Sequence, residues 1–286
     1  MTGLLRIDRP GLFSVVQDAG RAGMQYAGIP VGGPLDRRAA RLLNELLQNP
    51  EDTPVIEITL AGPQITILKD CQLAICGADL SPTVNGEAAE MYCPIEVAAG
   101  SILRFGSVRA GCRAYLGVRG VWIHPHWMQS VAPIPSMPEI LAESILRRGQ
   151  VLHILPLSSV LKRKAAPLAM PAGLSEIRVM EGPELDTFDP LAVADFFGKT
   201  HTISAASNRM GYRLHDSLRG TAPSASMLSS GLIPGTIQVP PSGAPIILLA
   251  DAQTVGGYPR IAQVADEDLD IFGQLKPGDS LRFRLL

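Results

Sequence analysis

No G-x-x-x-x-G-K-[ST] loop, G-x-G-x-x-G turn after a strand, H-E-x-x-H helix or G-x-S-x-G elbow occurs in this 286-residue chain. Any handling of ATP therefore does not use a P-loop of its own. Charge is scarce as well. Charged residues make up 18% and the net charge is −2, which removes the electrostatic case for nucleic acid. Among the basic residues Arg is far ahead of Lys. Arg suits planar, bidentate recognition of carboxylate or phosphate, although genome composition produces the same bias. The four cysteines, Cys71, Cys76, Cys93 and Cys112, form no CxxC pair and have no zinc-like spacing. They read as small buried hydrophobes in a reducing cytoplasm. No apolar run reaches about 18 residues, and MTGLLRIDRPGLF has no long apolar signal region. The expectation is a soluble, cytoplasmic protein.

What is present is apolar, 46% of the chain, enough to bury a core in one large or two ordinary domains. Leu4 to Ile7 and Leu12 to Val16 read as short strands. Gln17 to Asp36 is a glycine-rich stretch without regular periodicity, a length that is uncommon in a compact chain unless functional or disordered. Asp36 then caps a helix whose apolar face is Ala39, Ala40, Leu42, Leu43, Leu46 and Leu47, stopped at Asn49-Pro50. From Val55 to Val118 short, mostly alternating segments are punctuated by Gly, Pro and the hairpin signal Asn85-Gly86. His124 and His126 sit at strand spacing with no third ligand nearby, and a structural or surface role is expected of them. Residues 161–173 read as a linker by composition. The β pattern then returns, with helices near Pro190 to Phe197 and Asp266 to Leu275 and a closing strand at Ser280 to Leu285.

The two halves echo each other. EITLAGPQI and later AGSILRF in the first half answer IRVMEGPEL and later PGDSLRF in the second, in the same order. An ordered pair of matches favours duplicated or similar β domains.

Three glycine-rich polar loops carry most of the chemistry-bearing residues. The first holds Asp18, Arg21 and Tyr26, the second is Ser207 to Leu214 with Asn208, Arg209 and Arg213, and the third is Gly235 to Arg260. In the third an apolar run, Ala244 to Leu249, leads into Asp251, Gln253 and Thr254, then Gly256-Gly257-Tyr258-Pro259. A glycine pair after a buried strand brings backbone close to something. Arginine, amide and carboxylate groups mixed with glycine suit a small polar ligand. Ordinary turn chemistry, with Arg and Asp pairing to lock loops, is the competing reading.

QDAGRAGMQYAGIPVGGPLD, LLNELLQN, EITLAGP, SNRMGYRL, GTIQVPPSGAPIILLADAQTVGGYPRI and QLKPGD occur in this order across nearly the whole chain. In them the sequence resembles the biotin-dependent carboxyltransferase-like family, also called allophanate hydrolase subunit 2-like. The resemblance implies a mainly β fold of two tandem cyclophilin-like β-barrel domains with a few short helices, at 1–160 and 174–286. It also implies a subunit 1-like (B subunit) partner, with an A subunit in some assemblies. Three activities follow from it. One is a subunit of an ATP-dependent enzyme that opens the lactam of 5-oxoproline to glutamate. Another is a carboxyltransferase module acting on an amide such as urea. The last is a non-catalytic partner that sequesters a subunit 1-like kinase inhibitor.

Opening the lactam is uphill, so ATP and Mg²⁺ are expected of the complex. On the motif positions, Asp18 and Asp251 are the carboxylates for Mg²⁺ or proton transfer. Arg21, Arg209 and Arg213 are the cations, and Gln238, Gln253 and Tyr258 are the groups to fix the lactam, with Tyr26, Asn208 and Thr254 completing the substrate-binding set. The chain has no Met-Lys dipeptide, so no covalent biotin is expected on it. One departure is clear. Members carry a Gly-Ser-Arg-Ser-Thr-like segment after the YL-x-V-R-G strand, and here Val121-Trp122-Ile123-His124 follows without such a segment. If that loop meets substrate, specificity is altered or the function lost.

Overall fold

The computed structural model describes residues 3–157, 159–220 and 227–286. The chain is mainly β and divides into two compact units, Met1–Arg21 with Gly32–Met170, and Ala22–Val31 with Pro171–Leu286.

The first unit contains β1 (Leu5–Arg9), β2 (Phe13–Gln17), helix α1 (Arg37–Leu46), β3 (Val55–Thr59), β4 (Gln64–Ile67) and β5 (Cys71–Asp79). The hairpin β6 (Thr83–Val84) and β7 (Glu87–Ala88) turns at Asn85-Gly86, where both residues have positive φ. Then come β8 (Ile95–Val97), β9 (Ile102–Arg104), β10 (Ala110–Val118), β11 (Gly120–Ile123) and β12 (Val151–Pro156). These strands form a seven-stranded sheet in the order β11-β12-β1-β4-β9-β6-β7 and a five-stranded sheet in the order β2-β3-β10-β5-β8. Leu5, Ile7, Ile65, Ile67, Leu73, Ile75 and Leu116 belong to one fully buried cluster.

Helix α1 begins where Asp36 accepts the Ala39 amide at 3.1 Å. Its apolar face, with Ala39, Leu43 and Leu47 at 0% exposure, packs with Ala74 and Tyr115. Each of the two leucine side chains stabilises the unit by roughly 1.5–3 kcal/mol. Gly117 makes the close approach possible, because a Cβ there would lie 2.9 Å from a Leu47 methyl and 3.0 Å from one of Leu43. Residues 161–168, read from composition as linker, are laid along this unit. Gln72 exchanges hydrogen bonds with the Leu161 backbone at 2.9 and 3.1 Å, and Ala165 donates to Tyr92 O at 2.9 Å.

The second unit contains β13 (Leu174–Glu181), α2 (Pro190–Gly198), β14 (His201–Thr202), β15 (Gly211–Arg213), β16 (Ser230–Gly231), β17 (Thr236–Gln238), β18 (Ile246–Leu248), β19 (Val255–Gly256), β20 (Arg260–Val264), α3 (Asp266–Phe272) and β21 (Ser280–Leu285). Its seven-stranded sheet runs β14-β21-β13-β20-β17-β18-β15, and β16 and β19 form a separate two-stranded ribbon. β13 and β21 pair in parallel, and the other ladders are antiparallel. Helix α3 is shorter than its sequence pattern suggests. The chain leaves the helix at Gly273, and Gln274 and Leu275 are buried in the turn that follows.

His201, 1% exposed, packs at a tilt against the rings of Phe196 and Phe283 and lies 2.8 Å from the Phe196 carbonyl. Burial holds its imidazole below the ordinary histidine range; Lys199 acts in the same direction, while Asp195 and Asp216 oppose it. The folded state therefore binds this proton less readily than the unfolded chain. The stabilisation is complete above about pH 6.5 and is lost as pH falls toward the folded-state value. Urea midpoints should fall between pH 8 and pH 5.5, and His201→Phe should flatten that slope. An unchanged slope in the variant would assign the pH dependence to other groups.

Candidate functional site

In the first unit the loop after β2 is braced against residues 127–132. Asp18 is the hub: its carboxylate accepts from Gly20 N at 3.0 Å, Ser130 Oγ at 2.6 Å and Val131 N at 2.8 Å. Arg21, 2% exposed, reaches the same segment from the side. It donates to the carbonyls of Trp127 at 3.1 Å, Ser130 at 3.3 Å and Ala132 at 2.5 Å, and its guanidinium lies 5.5 Å from the Trp127 ring centre. The braced segment is a tight two-residue turn, with Trp127 and Ser130 exchanging backbone bonds at 2.9 and 3.2 Å. Its central residues, Met128 (φ 48°) and Gln129 (φ 63°), occupy a region that favours glycine or asparagine. Such a turn costs on the order of 1–2 kcal/mol per residue and persists because buried partners over-determine it. His124 joins the brace at 2.8 Å from Ser144 Oγ, which in turn donates to Val131 O at 2.6 Å. Burial pushes the His124 imidazole down. This is the structural role expected of it.

The second unit brings most of the remaining candidates together around one loop, 249–259, folded back across the outer face of the β15-β18-β17 sheet. Gln238, Ile246 and Arg213 share one cross-strand row on that face, and Leu248 lies two residues along β18 from Ile246. Leu248, Leu232 and Ala252 pack together over it, with Ile246 against them. Arg209 and Asp251 hold the start of the loop. Arg209 Nε lies 2.7 Å from Asp251 Oδ2 and Nη2 lies 2.9 Å from Oδ1, while Asp251 N donates to Arg209 O at 3.2 Å. Both side chains are under 10% exposed, so this is a buried bidentate pair. Thr254 holds the middle by accepting Leu232 N on its carbonyl at 2.8 Å. Gln238, 1% exposed, holds the end by donating Nε2 to Tyr258 O at 3.0 Å.

The glycine pair has a direct cause here. A Cβ on Gly256 would lie 2.7 Å from Leu232 Cδ1, and one on Gly257 would lie 3.0 Å from Met227 O. The backbone is brought close to its own neighbours.

The candidates thus split by exposure. Asp18, Arg21, Arg209, Gln238, Asp251 and Thr254 are buried and engaged in bracing, whereas Tyr26, Asn208, Arg213, Gln253 and Tyr258 face solvent. Asn208 uses its Oδ1 locally, accepting Met210 N at 2.8 Å. Tyr26 sits in a 3-10 turn, Gln25–Ala27, at 88% exposure. Among the described residues no group of three His, Cys, Asp or Glu is placed to hold a metal ion. Asp18 and Asp251 direct their oxygens at N–H and O–H groups, so neither of these two carboxylates is placed as an open ligand for Mg²⁺.

Several buried or half-buried polar groups escaped the sequence reading. Glu57 on β3, 0% exposed, accepts Leu35 N and the Tyr115 hydroxyl, both at 2.9 Å, and lies 3.5 Å from Arg113 Nε. Its only signal was a carboxylate inside the run VIEIT, whose alternation suggests that one face meets solvent; in fact Val55–Ile58 are all buried. Glu184 clamps Arg260 with bonds at 2.7 and 2.5 Å across 76 residues, and no local pattern announces such a pair. Two cavities lie in the first unit. One of about 470 Å³ is lined by Tyr92, Arg109, Lys164 and Leu168, and one of about 510 Å³ by Gln72, Glu96, Leu157 and Ser159. None of the candidate residues lines either.

Two braced loops on a mainly β chain, carrying the GYRL and QTVGGYP strings, describe a recognised class. Residues 27–285 match the family model of the carboxyltransferase domain, subdomains A and B, and the chain belongs to that family. Within it, the sequence is 34% identical to the C-type subunit of 5-oxoprolinase from Escherichia coli, over 98% of this chain and 90% of that protein. It is 31% identical to urea amidolyase of Saccharomyces cerevisiae over 98% of its own length and 16% of the yeast protein's. The crystal structure of TTHA0988 superimposes with a TM-score of 0.89 at 30% identity; the match covers 99% of this chain and 56% of that one.

Proposed function

We propose that this chain is the C-type subunit of an ATP-dependent 5-oxoprolinase, working with A and B subunits to open 5-oxoproline to glutamate. The carrying observation is the end-to-end correspondence with the Escherichia coli 5-oxoprolinase protein, 90% of which is covered. The urea amidolyase match covers only 16% of its counterpart, as one module of a longer chain. In this reading the buried residues hold two loops rigid, and the exposed Arg213, Gln253 and Tyr258 meet the substrate's carboxylate and lactam. Asp18 and Asp251 act by fixing those loops. ATP and Mg²⁺ belong to the complex, and their binding is assigned to the other subunits. A cytoplasmic location is part of this reading; among the described residues no helix is long and apolar enough to cross a membrane.

The test is 5-oxoproline-dependent ATP hydrolysis by the chain purified with its neighbouring subunits. Turnover is expected from the full set, and Arg213→Ala should lower it roughly tenfold or more with unchanged thermal unfolding. No turnover from the full set would end this reading. Urea-dependent carboxyl transfer from biotin carried on another chain would support the carboxyltransferase alternative favoured by the yeast match. A tight complex without turnover would support the regulatory one.

A further inference from the structure

β13 and β20 pair antiparallel, and Gly182, just past the end of β13, extends that ladder by donating its N–H to Ile261 O at 3.1 Å. A side chain is excluded at this position, because a Cβ on Gly182 would lie 2.1 Å from the Arg260 carbonyl oxygen. The close approach brings Glu184, two residues on, to the first residue of β20. Glu184 Oε2 accepts the Arg260 backbone N–H at 3.0 Å and its Nε at 2.7 Å, and Oε1 accepts Nη2 at 2.5 Å. Both side chains are 18% exposed. The hydrogen bonds from Arg260 hold the Glu184 carboxyl below the usual carboxylate range against the opposing effect of burial, so it is ionised at neutral pH. The guanidinium has a second attachment. Its Nη1 reaches the Gly231 carbonyl at 3.4 Å, and Gly231 lies in β16, which pairs with Val255–Gly256 of β19.

These contacts converge on one short segment. Tyr258 O accepts Gln238 Nε2 at 3.0 Å, Pro259 O accepts Val239 N at 2.9 Å, and Arg260 N donates to Glu184. Three successive residues are thus fixed through their backbone, and the β16-β19 ribbon fixes the chain two residues before Tyr258. What this frame presents to solvent is the Tyr258 ring, 45% exposed. We infer that Glu184 is a positioning residue, which through Arg260 sets the Tyr258 ring against the lactam of the substrate. The inference rests on the 5-oxoprolinase reading, in which Tyr258 meets that lactam. Both Glu184 oxygens are turned to Arg260, so the carboxylate acts at one remove from the substrate. A small neutral ring offers few contacts, and its affinity depends on protein groups held in place before it arrives. Arg213 still meets the substrate carboxylate when Tyr258 is loosened, so binding weakens while the chemical step continues.

Steady-state kinetics of the chain assembled with its neighbouring subunits test it. Glu184→Gln keeps the shape and loses the charge. It should raise KM for 5-oxoproline about tenfold, while kcat and KM for ATP stay within about twofold of wild type. A variant that was merely less stable would lose kcat through lost active complex and leave both KM values alone. Arg260→Lys keeps the charge but not the fork, and should repeat the KM effect even where Glu184→Gln fails to fold. In a double-variant cycle, Glu184→Gln should add little to the KM of Tyr258→Ala, because it acts through that ring. An unchanged KM for 5-oxoproline in the folded variants, or additive effects in the cycle, would overturn the inference and leave the 5-oxoprolinase reading standing. A wild-type complex without turnover ends that reading and this inference with it.

Discussion

Asp251→Ala is expected to lower the unfolding free energy by about 3–5 kcal/mol, the usual cost of removing one partner from a buried ion pair. The pair is bidentate, both side chains are under 10% exposed, and it joins the loop before β15 to the loop after β18. Removing the carboxylate leaves the Arg209 guanidinium in a site built for a fork-to-fork contact, with its desolvation no longer offset by that carboxylate. The double variant Arg209→Met with Asp251→Leu should recover most of the loss, because no charge is then left behind. Urea unfolding of the three proteins measures this directly. The same set separates bracing from chemistry. If the double variant is folded and the complex still turns over 5-oxoproline, Asp251 acts only by holding the loop. If it is folded and inactive, Asp251 or Arg209 meets the substrate. A single variant that costs under about 1 kcal/mol would remove the brace from the account altogether.

Asp18→Ala should cost about 3 kcal/mol or more and loosen the turn at 127–132. Three donors, Gly20 N, Ser130 Oγ and Val131 N, lose a charged acceptor at once, and hydrogen bonds to charged groups stabilise by roughly 1.5–3 kcal/mol each. The turn at Met128 and Gln129 keeps its positive φ angles against a local preference, so it should relax once its anchor is gone. Hydrogen exchange at Val131 is the readout that distinguishes this from a general loss of stability. In the variant its amide should exchange far faster than amides in β5 and β10 of the same unit. Equal protection would show that Arg21 and the chain's own geometry hold the turn without Asp18. Arg21→Lys should reproduce part of the effect, since an ammonium cannot reach three carbonyls in the geometry of the guanidinium fork.

The elements with strong local signals were legible in advance. Helix α1 announces itself by Asp36 at the cap and aliphatics at 3.6-residue spacing, and its buried face is the one the spacing implies. The Asn85-Gly86 turn and the apolar run that contains β18 are of the same kind, because each depends on residues within a few positions of one another. Residues 161–168 show the limit of composition. Lys, Arg, Ala and Pro content suggested a spacer, while Gln72, Tyr92 and Glu90 supply the partners that lay the segment down. The glycine pair at Gly256 and Gly257 was legible as a close approach, but not what it approaches.

By itself, then, the sequence determined the mainly β character, the helices, the positions of the polar loops and membership of the carboxyltransferase-domain family, since these rest on local periodicity and on ordered strings. Only the tertiary structure decided what the polar loops do with their side chains. Whether an aspartate is a free carboxylate or a buried brace depends on partners 42 residues away for Arg209 and Asp251, and 112 for Asp18 and Ser130. Burial and pairing are properties of the folded neighbourhood, and no spacing along the chain encodes them. The place of β11 is another such case: no local signal fixes Gly120–Ile123 as an outer strand, and only the strand order of the sheet leaves it outermost with Val121 and Ile123 in solvent.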